Sequence, residues 1–161
     1  MANADDGLIR HVCDQLDEHQ GLCIYVLRED RRSWRADQVG LSRIAIERLM
    51  GDSTKAFLQM RKMLLNHEGS AEHVAVLERA KEEYNSIVGT RGPIALRALD
   101  RFDYVLVSGT IHEISTRVAT LIDHLGHAGF RENTPASKLA HDIHNLAVMT
   151  TKMVRNLPGH D

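Results

Sequence analysis

Aromatic side chains are scarce in this chain, at 4% of residues. That argues against a stacking platform for single-stranded nucleic acid. β-Branched runs are few, and Leu, Ala, Arg, Glu and Met dominate, a composition that favours helix. No apolar stretch approaches the length of a membrane span, and Asp5 and Asp6 stand where a signal peptide would carry positive charge. Cysteine occurs twice, at Cys13 and Cys23, without a CxxC spacing. Both are expected to be reduced thiols of a cytoplasmic protein. Catalytic signatures are missing too: no Walker loop, GxSxG elbow or dinucleotide fingerprint occurs, and the GTRGP stretch ending at Pro93 lacks the Lys-Ser/Thr of a phosphate loop. His112-Glu113 does not open a zinc-protease HExxH, because Thr116 stands at the second histidine position. Glu82-Glu83 reads as helix surface. No motif supports an enzyme, and no cofactor is expected.

What the chain does have is helical periodicity. Its 161 residues, 43% hydrophobic and 26% charged, suffice for one well-buried domain or two small ones. Leu8, Val12 and Leu16 give the apolar side of a first helix over Asp5 to Glu18, ended near Gly21. Leu22 to Leu27 is continuous and apolar, the best strand candidate, but without a partner strand it reads as a buried helix. Asp52 or Ser53 is placed to cap a helix running to Asn66, and Ser70 to begin another after a turn through Glu68. Gly89-Thr90-Arg91-Gly92-Pro93 is the clearest break. Beyond it a long helix is expected to Ala128, interrupted near Asp100. In it Val107, Ile111, Ile114, Val118, Leu121 and Leu125 repeat in heptad-like steps. Pro135 suits the first position of a last helix to Leu157. The expected fold is all-α: a small N-terminal unit over residues 1–68, then a helical bundle or antiparallel hairpin over 69–161.

Within Arg32 to Gly51, Ala36 is followed by Gly40-Leu41-Ser42, Ile46 and Leu49. A small residue, then a glycine able to take left-handed backbone, suits two helices crossing at a tight turn, with Ser42 capping the second. The pattern resembles the helix-turn-helix of Xre/Cro-like repressors, with Arg35 departing from it where an apolar residue is usual. An ordinary αα-hairpin is the alternative reading of the same residues.

Charge distribution is consistent with the resemblance. Between Arg28 and Lys62 nine basic residues face five acidic ones, a local +4, which leaves −6 for the rest of a chain whose total is −2. The resemblance implies a sequence-specific regulator bound to duplex DNA as a homodimer. Arg43, Ile44, Glu47 and Arg48 would enter the major groove, while Ser42, Arg31, Arg32 and Lys55 would hold phosphates.

Two further readings rest on the ten histidines. His124/His127 and His141/His144 are HxxH pairs flanking the last turn. Their numbering would set them level in an antiparallel hairpin, where they could converge on a transition metal. Their helical phase instead places them on polar faces, as surface histidines. Leu139-Ala140-His141-Asp142-Ile143-His144-Asn145-Leu146 also resembles the phosphoacceptor box of sensor histidine kinases, which would make His141 a phosphoacceptor with Asp142 as its proton acceptor. No nucleotide-binding lid accompanies that box, so this alternative is a non-catalytic signalling protein.

Overall fold

Helix accounts for all the regular structure in the computed structural model, which describes residues 2–67 and 69–160. Seven α-helices follow one another: α1 (Ala2–Asp14), α2 (Gln20–Glu29), α3 (Gln38–Leu65), α4 (Ala71–Ser86), α5 (Gly92–Asp100), α6 (Tyr104–His127) and α7 (Pro135–Arg155). The all-α expectation holds, and Leu22–Leu27 lies inside α2 as helix. Among the described residues no helix is long and apolar enough to cross a membrane. Glu68, in the expected α3–α4 turn, lies outside the described residues.

The expected helix-turn-helix is not there. From Gln38 to Leu65 the chain forms one unbroken helix of 28 residues. Its N-cap is Asp37, whose side chain accepts the Gly40 N–H at 2.7 Å, so the helix begins four residues before Ser42. Ser42 and Ser53, both expected as caps, are buried in the middle of it. Gly40 serves close approach rather than a turn. A Cβ on it would lie 3.0 Å from the Ala36 Cβ and 3.2 Å from the Asp37 Oδ1 that makes the cap. The Ala36/Gly40 pair is thus a helix entry, and what precedes it is a 3-10 turn, Arg31–Arg35.

α3, α4 with α5, α6 and α7 form a ring of four helical rods: α3 packs on α4 and α7, α5 and α4 on α6, and α6 on α7. Short connections make sequential rods antiparallel neighbours, the up-down topology of a bundle. The heptad residues Val107, Ile111, Ile114, Val118, Leu121 and Leu125 are all buried, as are Ile143, Leu146, Thr150 and Met153 opposite them on α7. One hydrophobic cluster includes Leu41, Ile46 and Leu49 of α3 together with Leu77, Leu99 and Ile111. It therefore spans both sides of the expected boundary after residue 68. Side-chain caps start the remaining rods: Ser70 accepts from the His73 N–H, Asp103 from Leu106, and Thr134 from Ser137, with Pro135 following at the first position of α7.

Gly89–Pro93 does not break the chain either. The backbone widens into a π turn, Ile87–Arg91, and continues directly as α5. A proline inside an α-helix lacks one N–H and crowds the preceding turn, and a π turn is a known way of absorbing such a fault. Gly92 lies where this turn meets α3. A Cβ there would sit 2.6 Å from the Ile87 carbonyl oxygen and 2.6 Å from both Cγ and Sδ of Met50. Met50 can move, but the backbone carbonyl cannot without reshaping the turn. Gly92→Ala is therefore expected to destabilise by about 1–3 kcal/mol, read as a lowered urea midpoint at unchanged slope.

α1 and α2 form a hairpin laid across the bundle, with Ile9, Val12, Leu16, Val26 and Leu27 buried beneath it. Asp17, at φ 51°, makes the reversal, and the 3-10 turn Asp17–His19 leads into α2. Asp6 clamps the open end, accepting from Arg28 at 2.9 and 3.0 Å and from Arg10 at 2.8 Å. These two guanidiniums hold its carboxyl below the ordinary carboxylate range. Across the hairpin Cys13 and Cys23 form a disulfide, so the expectation of reduced thiols is corrected. Spacing alone missed it because the reversal at Asp17 brings together two residues ten apart, with Cα atoms at 5.5 Å.

Candidate functional site

Six of the eight residues assigned to DNA do gather, in an open groove of about 610 Å³ between α2, the 3-10 turn and α3. Arg31, Arg32, Ile44, Glu47, Arg48 and Lys55 line it, but so do Glu29, Asp30 and Asp52. Part of the local positive charge is spent inside the fold. Arg32 donates to Asp30 at 2.7 Å and to Glu47 at 3.0 Å. The Asp30 hydrogen bond foremost, with the Glu47 charge, raises its pKa above the ordinary arginine value. Arg48 donates to Glu29 at 2.6 Å and to Asp52 at 3.0 Å, and its guanidinium carbon lies 5.8 Å from the Tyr25 ring centroid. Burial works against the Arg48 charge, yet Glu29 and Asp52 outweigh it and its pKa is raised. Arg43 lies elsewhere, bonded to Asp100 across α3 and α5; Ser42 and Ile44 are both buried. The two arginines meant to read guanine are thus bound to carboxylates of their own chain, on a helix packed into a bundle.

The four histidines of the HxxH pairs part company. His124 and His127 face α4, where Arg79 approaches the His124 Nδ1 at 2.5 Å. His144 lines a different groove, between α6 and α7, with His112, Lys152 and Arg155. Among the described residues no cluster of three or more His, Cys, Asp or Glu side chains is arranged to hold a metal. His141 is half-buried, and its Nδ1 hydrogen-bonds the Ser137 carbonyl one turn back at 2.9 Å.

A surface that sequence reasoning passed over lies at the corner between α5 and α6. Phe102 is 72% exposed there and has φ 61°, a left-handed backbone that a bulky side chain adopts at a cost of about 1–2 kcal/mol. Val105 and Leu106, on the first turn of α6 just beyond the corner, are 60% and 43% exposed. Arg101 stands next to Phe102 in the chain and donates to the Arg97 carbonyl; both arginines are exposed and neither is in an ion pair among the described residues. The corner is braced from below. The Phe102 N–H donates to the Leu99 carbonyl and the Asp103 N–H to that of Ala98, while Phe102 meets Tyr104 edge-to-face at 6.4 Å. Behind Tyr104, the segment after α7 packs back, and His160 hydrogen-bonds the Ser108 hydroxyl at 2.8 Å. Its sequence signal is faint: one phenylalanine inside the polar stretch Asp100-Arg101-Phe102-Asp103, where the long helix is interrupted.

No family model matches this chain, and no curated protein does. Among solved structures, a mutant form of a pectin methylesterase inhibitor from Arabidopsis shares the fold, with a TM-score of 0.73 and 15% identity over 91% of this chain and 95% of that one. An identity that low establishes the fold alone. The shared fold is an all-α bundle with no helix-turn-helix in it, and together with the unbroken α3 and the arginines paired to carboxylates of their own chain it overturns the reading as a DNA-binding regulator with duplex DNA as partner. The disulfide removes the ground for a cytoplasmic location, since such bonds persist in oxidising compartments.

Proposed function

We propose that this protein is a protein-binding inhibitor that works outside the reducing cytoplasm, docking on an enzyme through the Phe102 corner. The observation that carries the reading is Phe102 itself: a large aromatic side chain held outward on strained backbone, near exposed apolar residues and exposed arginines. Aromatic and arginine side chains dominate the energetics of protein interfaces, and a rigid presenting corner limits the ordering lost on binding. Its partner is an apolar cleft rimmed with carboxylates, matching Arg97 and Arg101. Pectin methylesterases, the enzymes inhibited by the protein that shares this fold, are the class to assay first.

The test is a titration of the purified, oxidised protein into a pectin methylesterase assay, with calorimetry of the same pair. Saturable inhibition that Arg101→Glu weakens supports the reading. Neither inhibition nor heat of binding across plant and bacterial pectin methylesterases would overturn it.

A further inference from the structure

The N-terminal hairpin meets the bundle at a seam built around His19. This side chain is 12% exposed, and Lys152 of α7 donates to its Nδ1 at 3.0 Å. The same ammonium donates to the Glu18 Oε1 at 3.1 Å. An ammonium has donors only, so the Nδ1 must offer a lone pair, which only a neutral imidazole has. Once protonated, His19 cannot accept that bond and faces Lys152 as a like charge. The groups around it are mostly cationic or able to become so: Lys152 and His144 on α7, with Arg155 and the His112 of α6 lining the adjoining groove. Glu18 is the carboxylate that faces it, 3.7 Å away and itself 70% exposed, so water screens much of its counter-charge.

We propose that this seam is a pH-operated clasp, which holds the hairpin against α7 while His19 is neutral and loosens as His19 takes up a proton. The clasp is independent of the docking corner.

Burial and the Lys152 charge hold His19 below its ordinary value of 6.5, and burial does the same for His144. The sign follows from linkage. Below pH 6.5 the released hairpin binds protons that the docked one refuses, so docking is full above that value and weakens as pH falls. The ion pair from α2 to α3, Glu29 with Arg48, does not titrate in this window. Hydrogen bonds from Tyr25 and Arg48 keep the Glu29 carboxyl below the ordinary carboxylate range.

Hydrogen exchange of the α2 amides, corrected for the intrinsic pH dependence of exchange, tests the clasp on the whole oxidised protein between pH 7.5 and 5. Wild type is expected to lose protection several-fold on acidification, with a midpoint that follows the His19 ring signal in an NMR titration. His19→Gln, whose amide oxygen still accepts from Lys152 but does not titrate, should keep α2 protected throughout. Lys152→Met, which removes the like charge, should blunt the dependence should the glutamine variant fold poorly. Protection that is flat with pH in wild type, or lost away from the His19 midpoint, or equally pH-sensitive in both variants, overturns the proposal.

Discussion

Phe102→Gly will remove most of the affinity for a partner and leave the fold almost as stable as before. The side chain is 72% exposed, so little buried surface is lost with it. At φ 61° phenylalanine carries a left-handed penalty of about 1–2 kcal/mol that glycine escapes, offset by about 0.4–1 kcal/mol of extra freedom that glycine gives the unfolded chain. The net change in unfolding free energy is expected within about 1 kcal/mol. An aromatic anchor at the centre of an interface is worth about 2–4 kcal/mol on truncation, equivalent to about thirty- to several-hundredfold in Kd. Urea denaturation and calorimetry on the same sample separate the two quantities. A variant that binds its enzyme as tightly as wild type would show that Phe102 lies outside the interface, and the corner would then need another account of its strain.

Removing the disulfide is expected to have the largest effect on stability. Its two cysteines are ten residues apart, and closing a loop of that length in the unfolded chain is worth about 2.5 kcal/mol. For a domain of 161 residues that corresponds to roughly 5–10 °C in Tm. Alanine is the replacement to use, because both sulfurs are buried and a hydroxyl there would lack a partner. Cys13→Ala/Cys23→Ala should melt lower than the oxidised wild type and close to the reduced one. Thermal scans with and without reductant measure this, alongside alkylation of the thiols with and without prior reduction. Identical melting in both conditions would mean that the bridge contributes nothing. Because the bridge closes the hairpin and not the bundle, the loss should fall first on protection of α1 and α2.

The amino-acid sequence by itself determined the elements of the bundle. The heptad pattern from Val107 to Leu125 lies buried as expected, because an amphipathic face reports its own burial whatever it packs on. Ser70 and Pro135 mark helix starts for the same local reason: a cap hydroxyl and a proline act within one turn of themselves. Local signals misled where two structures satisfy them equally. Ala36 and Gly40 fit a tight interhelical turn, and they fit equally a helix entry where two small residues touch; only the packing of α3 along α4 and α7 chose the second. Gly92-Pro93 reads as a break until α3 passes close enough to require the glycine, and the helix continues around the proline as a π turn.

Everything functional was decided in three dimensions. A count of charges along Arg28 to Lys62 shows an excess of cations, but whether they are available depends on carboxylates from other turns, and Arg32, Arg43 and Arg48 all find one. Cysteine pairing depends on the reversal at Asp17, and the separation of the HxxH pairs on the rotation of α6 against α7. The same holds for Phe102. In sequence it is one apolar residue in a charged stretch. The corner it occupies, with α6 beginning two residues later and the segment after α7 braced behind it, is what keeps its ring out of the core and turned to solvent.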